Sequence, residues 1–204
     1  MHPLVTVIIP TTLERKEFND QIIKDYRAQD YPNKEVLFDY GHGCIGEKRN
    51  RLCKAAKGEI IIHFDSDDRY KPDWISRQVR LLLESEADMV GISQFKMIDY
   101  NADEGWMYTY VAMGVDYVAG ATLCYRRSYW ENNKFAEIQV GEDVVFSYGR
   151  TNGYIPKVVS GDYIDGFLCT MHEGNTSPRQ IGNVGYRRLN EEEFKEVKSI
   201  WNLA

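Results

Sequence analysis

The chain has 204 residues, 43% of them hydrophobic and 27% charged, with a formal net charge of −6. That length and composition suit one α/β domain with a sizeable core and are short for two. The acidic balance argues against a broad electrostatic attraction to nucleic acid or anionic lipid, and no apolar run approaches membrane-spanning length.

The opening Met1-His2-Pro3 lacks the basic and apolar regions of a secretory signal. Cys44, Cys53, Cys124 and Cys169 have no Cys-x-x-Cys spacing. They point to reduced thiols in a cytoplasmic protein and away from a zinc site or disulfide framework. No repeat, low-complexity tract or Gly/Ser linker divides the chain, so residues 1–204 are read as a single domain.

Leu4 to Ile9 is an apolar, β-branched run with the length of a buried strand, ended by Pro10. Thr11-x-x-Glu14 has the form of a capping box, and Phe18, Ile22 and Tyr26 recur at i, i+4 spacing, predicting a helix over 14–28. After a turn at Tyr31-Pro32-Asn33, Glu35 to Tyr40 reads as a second strand with Asp39 near its carboxyl end. A helix over 46–57 ends at Gly58, and Ile60 to Phe64 forms a third strand. Strand, helix, strand, helix, strand is the pattern of a parallel sheet with right-handed crossovers.

The third strand ends in Asp65-Ser66-Asp67-Asp68. The carboxyl end of a strand is where ligands bind in an open α/β sheet. Acids gathered there repel one another unless a cation joins them, and their hard oxygens suit Mg²⁺ or Mn²⁺. The alternative is a solvated acidic turn capping the helix that starts near Asp73, whose Trp74, Val79, Leu82 and Leu83 fit a face covering the sheet.

Asp88 to Ser93 is a further strand. Phe95 to Tyr100 and Trp106 to Val111 flank a hairpin-like turn at residues 101–105, and another strand runs from Ala121 to Tyr125. Strict alternation is lost here, predicting a mixed, mostly parallel central sheet. Gly141-Glu142-Asp143 precedes a helix start, where its acids either complement the dipole or supply a general base. Asp162 to Met171 reads as a strand leading into a polar loop from His172 to Arg179. In the last segment Phe194, Val197, Ile200 and Trp201 share one helical face, which docks on the domain or meets a partner helix.

Gly41-His42-Gly43-Cys44-Ile45-Gly46 is a G-x-G-x-x-G between strand and helix, with Asp65 about 20 residues beyond as a dinucleotide fingerprint requires. An NAD-dependent oxidoreductase is therefore one alternative. Against it, the third glycine leads at once into Glu47-Lys48-Arg49-Asn50-Arg51, and a ribose needs one acid where this chain supplies three. Lys48 and Arg49 near a helix start suit a diphosphate better.

Taken together, these segments resemble family 2 glycosyltransferases over roughly residues 4–180. Val5 to Thr12 resembles the family's opening strand and loop, and Gly46 to Asn50 the segment before its metal motif. Asp65-Ser66-Asp67-Asp68 is similar to its D-x-D motif, Gly120 to Trp130 to its acceptor-side stretch, Gly141-Glu142-Asp143 to its E-D motif, and Met171 to Ser177 to its histidine loop.

The resemblance implies a GT-A (Rossmann-like) three-layer α/β fold. Residues 1–100 form its nucleotide-sugar half, 101–185 its acceptor half and 186–204 a C-terminal helix. It implies a metal-dependent, inverting transfer from a nucleoside-diphosphate sugar, most often a UDP-sugar, to the hydroxyl of an acceptor such as a saccharide. Pro10, Thr11, Thr12, Asp39, Lys48, Arg49, Asp65, Ser66 and Asp68 would contact the donor. Asp67 and His172 would hold Mn²⁺ or Mg²⁺, Glu142 would place the acceptor, and Asp143 would be the base. A nucleotide-sugar-binding module without turnover is the other alternative, with the intact Glu142-Asp143 pair against it. Asp39 is followed by Tyr40 where the family often has paired acids, which leaves the base less defined than the metal site.

Overall fold

The computed structural model describes residues 2–99, 101–110, 117–148, 154–176 and 185–203. Its first half contains β1 (Val5–Pro10), α1 (Lys16–Arg27), β2 (Lys34–Asp39), α2 (Ile45–Ala55), β3 (Ile60–His63), β4 (Arg69–Tyr70), α3 (Trp74–Glu84) and β5 (Met89–Ile92). There follow β6 (Gln94–Asp99), β7 (Glu104–Thr109), β8 (Cys124–Arg126), α4 (Arg127–Asn132), α5 (Glu142–Tyr148), β9 (Val158–Gly161), β10 (Phe167–Met171), β11 (Tyr186–Arg188) and α6 (Glu191–Trp201).

Six strands form the central sheet in the order β2-β1-β3-β8-β5-β9. β1 is parallel to β2 and β3, β5 is parallel to β9, and β8 runs antiparallel between β3 and β5. The expected mixed, mostly parallel sheet is therefore present. Its two faces follow from strand alternation. Val5, Val7, Ile9, Ile60 and Ile62 pack toward α1 and α3, while Ile8 and Ile61 pack toward Leu52 of α2 and Phe146 of α5. Helices on both faces and buried strands between them make three layers.

One correction concerns the second half. Its strands do not all join the central sheet, because β11-β7-β6-β10-β4 form a second, five-stranded sheet. The β6–β7 hairpin is antiparallel as expected, and β10 lies parallel to β6. β10 begins at Phe167 and not at Asp162, because residues 164–166 form a 3₁₀ turn. β4, β9, β11 and α4 were not foreseen, and β11 takes Tyr186–Arg188 out of the helix expected over 186–204; each is too short to impose a period on the sequence. Tyr100, Val111 and Ser177, assigned above to two strands and the histidine loop, lie outside the described residues.

Two local expectations also change, and a third holds. Thr11 and Glu14 make no capping box, since α1 starts at Lys16 and the Thr11 hydroxyl donates to Asn19 Oδ1 at 2.7 Å. Leu83 is 43% exposed, so the buried face of α3 is carried by Trp74, Ile75, Val79 and Leu82. The last helix docks on its own domain, with Val197 and Trp201 buried against Ile98 of β6 and Leu168 of β10. Its start is fixed by Asn190 and Glu193, which accept each other's backbone N–H at 2.9 Å.

β3 carries a buried polar chain beneath the cleft described below. His63 Nδ1 lies 2.9 Å from the Gly120 carbonyl, which can only accept, so Nδ1 bears the proton. Nε2 then accepts from the Tyr125 hydroxyl at 3.0 Å, and Tyr125 in turn accepts from the Cys53 thiol at 3.2 Å. Burial, helped by the nearby Arg49 charge, drives the His63 pKa well below its ordinary value of 6.5. The unfolded chain therefore binds a proton that the folded chain refuses once pH falls below about 6.5. Stability should decline there by up to about 1.4 kcal/mol per pH unit. In urea titrations between pH 7 and 5, His63→Gln should be less stable at pH 7 and should lose this decline; an unchanged slope would contradict the assignment.

Candidate active site

The register of the central sheet sets one rim of a cleft. Pro10 is opposite Asp39 and Ile8 is opposite His63, so β1, β2 and β3 all end at the same edge. There the Thr11 amide donates to the Asp39 carbonyl, and the acidic loop 65–68 turns away from β3. Pro10, Arg49, Asp65, Ser66, Asp67, Asp68, Glu142 and Asp143 line one common cleft.

The acidic loop is held from both sides. β4 follows it directly and pairs with β10, whose end delivers His172. Asp68 Oδ1 accepts the Thr170 amide at 2.9 Å, so this acid, though it lines the cleft, ties the loop to β10. His172 Nε2 thereby reaches Asp67 Oδ2 at 3.0 Å across 105 residues of sequence. Asn175 Nδ2 and Arg15 Nη1 meet the same oxygen at 3.2 and 3.1 Å. Burial works to raise the Asp67 pKa, but the His172 hydrogen bond and the Arg15 charge outweigh it and hold the carboxyl below its ordinary value. Sequence reasoning missed Arg15 and Asn175, neither of which lies in an apolar period or a recognisable ligand spacing.

Asp67 supplies a carboxylate, which suits Mn²⁺ or Mg²⁺, and His172 an imidazole, which suits softer divalent ions better than Mg²⁺. Among the described residues no three His, Cys, Asp or Glu side chains converge as a metal cage. A cation here would complete its shell with substrate phosphate and water, as Mg²⁺ commonly does. Asp67 fits a cation on those terms; His172 would join it only if its proton moved off Nε2, which here donates to Asp67 Oδ2 while Nδ1 accepts the Gly174 amide at 3.1 Å.

Lys48 and Arg49 are not a solvated helix face; they are 5% and 3% exposed. Lys48 Nζ donates to the Thr11 carbonyl at 2.6 Å. Arg49 spans the cleft floor, with Nη1 at 2.5 Å from Glu142 Oε1 and Nη2 at 3.4 Å from Asp65 Oδ1. Burial alone would lower the Arg49 pKa, but the charges of Glu142, Asp65 and Asp143 raise it. Burial raises the Asp65 pKa, opposed by Arg49 and reinforced by Asp67 and Asp143. Glu142 is raised by burial in the same way, with Arg49 opposing. Glu142 is thus committed to Arg49. Asp143 is partly exposed beside it, accepting the Tyr117 hydroxyl at 2.7 Å and the Val144 amide at 2.9 Å.

The remaining sequence candidates lie apart. Thr11 turns its side chain inward, whereas Thr12 and Lys48 line a second hollow with Tyr40 and His42. Asp39 neighbours that hollow and binds Arg51 at 2.7 Å and the Gly41 amide at 2.7 Å. Burial works to raise its pKa, but these two partners hold it below the ordinary value. The glycine run does not behave as a dinucleotide loop. A Cβ on Gly46 would meet the Ala136 carbonyl oxygen at 1.9 Å, so that glycine admits a loop and not a strand. Glu47 and Arg51 of α2 bond back to the Cys44 amide and the His42 carbonyl of the same run. On β7 and just after it, Trp106 belongs to the core, Tyr110 lines the cleft, and Tyr108 packs against Tyr110 and Tyr186.

Comparison with known proteins agrees with this architecture. S. aureus TarS 1–349 superposes with a TM-score of 0.59 at 16% identity, over 82% of this chain and 60% of that one. The same protein in complex with UDP-GlcNAc gives 0.60 at 18% identity over 97% and 65%. The mannosyltransferase PcManGT from Pyrobaculum calidifontis, in complex with GDP-Man and Mn²⁺, gives 0.60 at 17% identity over 84% and 57%. The chain therefore spans less than two thirds of the length of each, and the likeness establishes the GT-A fold. No curated protein matches the sequence. The glycosyl transferase family 2 model matches residues 20–140, a span that includes Asp39, Lys48, Arg49 and the acidic loop and ends just before Glu142. Because that match covers more than half of a chain with this fold, the protein belongs to glycosyltransferase family 2.

Proposed function

We propose that this chain is an inverting glycosyltransferase that moves a sugar from a nucleoside-diphosphate donor, a UDP-sugar first among them, to an acceptor hydroxyl such as that of a saccharide. The observation that carries the reading is the shared cleft. Asp65 to Asp68 and the partly exposed Asp143 line it together, and His172 adjoins it through Asp67. Residues 1–100 act as the donor half and residues 101–185 as the acceptor half of one domain, closed by the helix in 186–204. The relatives in complex with UDP-GlcNAc, and with GDP-Man and Mn²⁺, support a nucleotide-sugar donor. The four free cysteines fit a cytoplasmic setting. Among the described residues no helix is long and apolar enough to cross a membrane.

When the sugar leaves, negative charge builds on the β-phosphate oxygen. Asp67, with His172 beside it, would hold Mn²⁺ or Mg²⁺, which would supply Lewis-acid stabilisation of that charge. Arg15, also a lining residue, adds a fixed positive charge at the same rim. Arg49 holds Asp65 of the donor side and Glu142 of the acceptor side at one spacing. Asp143 takes the proton of the attacking hydroxyl. With Glu142 engaged by Arg49, one carboxylate remains for the acceptor, which suits a single displacement and hence inversion.

A thermal-shift panel of UDP, GDP, dTDP, NAD and NADP, with and without Mn²⁺, tests the reading. A nucleoside diphosphate should stabilise the protein more with Mn²⁺ than without, and NAD and NADP should give no shift. A saturable shift with NAD and none with any nucleoside diphosphate would restore the oxidoreductase alternative. Nucleotide release from a panel of donor sugars then separates turnover from binding without transfer.

A further inference from the structure

Asp143 does not hold its position alone. Its Oδ2 accepts the Tyr117 hydroxyl at 2.7 Å, and its Oδ1 accepts the Val144 amide at 2.9 Å. Behind it sits Gly120, where an added Cβ would meet Oδ2 at 2.3 Å and the Asp143 Cβ and Cγ at 2.9 Å. The Gly120 carbonyl is in turn bound by His63 Nδ1 at 2.9 Å. The segment from Tyr117 to Gly120 thus forms a seat: a phenol grips one oxygen and a bare backbone leaves room for the carboxylate.

We propose that Tyr117 is the positioning residue for Asp143, fixing which face of the carboxylate an acceptor hydroxyl meets. The inference rests on the reading of Asp143 as the base. Tyr117 is suited to the task because it is itself held. Its ring packs edge-on against Tyr110 at 4.3 Å, and the Tyr110 hydroxyl bonds to it. Burial and the Asp143 charge push its phenol pKa upward, so it stays protonated and donates throughout the reaction. Its proton is not transferred. The acceptor's O–H proton passes to Asp143 while the acceptor oxygen bonds the anomeric carbon and the diphosphate departs with the bonding pair. Arg49, Asp65 and Glu142 also act on Asp143 through their charges, but Tyr117 is the side chain that touches its carboxylate through a neutral donor. Nothing in the sequence marked this tyrosine, which lies outside every motif noted above.

The test is a double-mutant cycle on the full chain, reading transfer and donor binding separately. Tyr117→Phe keeps the ring and removes the donor. It should lower kcat by about tenfold or more, the size of a hydrogen bond to a charged group, with donor Kd unchanged. In an Asp143→Asn background the same change should cost nothing further, because a positioning effect vanishes with the group it positions. 4-Aminophenylalanine at position 117, which restores an N–H donor on the same ring, should retain most of the rate; loss to the level of Phe overturns the proposal even if Tyr117→Phe fails to fold. Normal kcat in Tyr117→Phe, or an equal loss in both backgrounds, also overturns it. If Asp143→Asn is inactive while Tyr117→Phe is normal, only the positioning role falls. If Asp143→Asn transfers normally, the base assignment falls and takes this inference with it.

Discussion

Asp143→Asn is expected to slow transfer at least about a hundredfold while leaving donor affinity near normal. The substitution keeps size, and the amide can satisfy both neighbours, its oxygen accepting the Val144 N–H and its NH₂ donating to the Tyr117 oxygen. It cannot accept the acceptor's proton. General-base catalysis typically contributes about 10²–10⁴-fold, or about 3–5 kcal/mol of barrier. Single-turnover transfer and calorimetric donor binding, measured on one preparation, check both halves. Glu142→Gln serves as the contrast. Glu142 pairs with buried Arg49 at 2.5 Å, and both side chains are less than a tenth exposed. Its loss should therefore lower stability together with activity, since a partly unpaired buried charge is left behind. If Glu142→Gln stays stable but abolishes transfer while Asp143→Asn retains most of it, the base is Glu142. If both transfer normally, the two acids serve only the start of α5.

The second large effect is expected at Asp67. Donor binding should be strongly promoted by Mn²⁺ or Mg²⁺ in the native protein, and Asp67→Ala should abolish that promotion. Equal donor affinity in EDTA and in Mn²⁺ for the native chain would defeat the metal reading. From sequence, removing one acid from a crowded cluster looks harmless to the fold. The structure predicts a cost, because Asp67 is not an uncompensated charge. Arg15, His172 and Asn175 all donate to its Oδ2, and its side chain is 10% exposed. Hydrogen bonds to a charged group are worth about 1.5–3 kcal/mol each, shared and partly replaced by water here, so about 2 kcal/mol is the expected loss. Asp67→Asn retains an acceptor for these donors and is the better control. It should lose metal promotion with a smaller drop in Tm.

What the sequence determined by itself was whatever local pattern can encode. The runs Leu4–Ile9 and Ile60–Phe64 are β-branched and apolar, so they had to be buried strands, and parallel pairing put their carboxyl ends at one edge. That puts the acidic loop at the carboxyl edge of the sheet, where ligands bind in an open α/β fold. The periodicity of α3 and α6, a hairpin around residues 101–105 (though Glu104 and Gly105 open β7) and the acids opening α5 were legible for the same reason.

The tertiary structure alone decided which distant groups meet. Asp67 and His172 touch because the two-residue strand Arg69–Tyr70 pairs with Phe167 and Leu168, and two residues carry no readable period. From the sequence Arg49 reads as a grip for a diphosphate at a helix start; it is buried because Glu142, 93 residues away, packs over it as a counter-charge. Tyr117 and Asp143 stand 26 residues apart, on the irregular segment before β8 and on α5, and meet because β8 inserts antiparallel beside β3. Sequence records what each segment prefers. Whether a charged side chain faces water or another charge depends on which segment covers it, and that is set by long-range packing, which leaves no local signature.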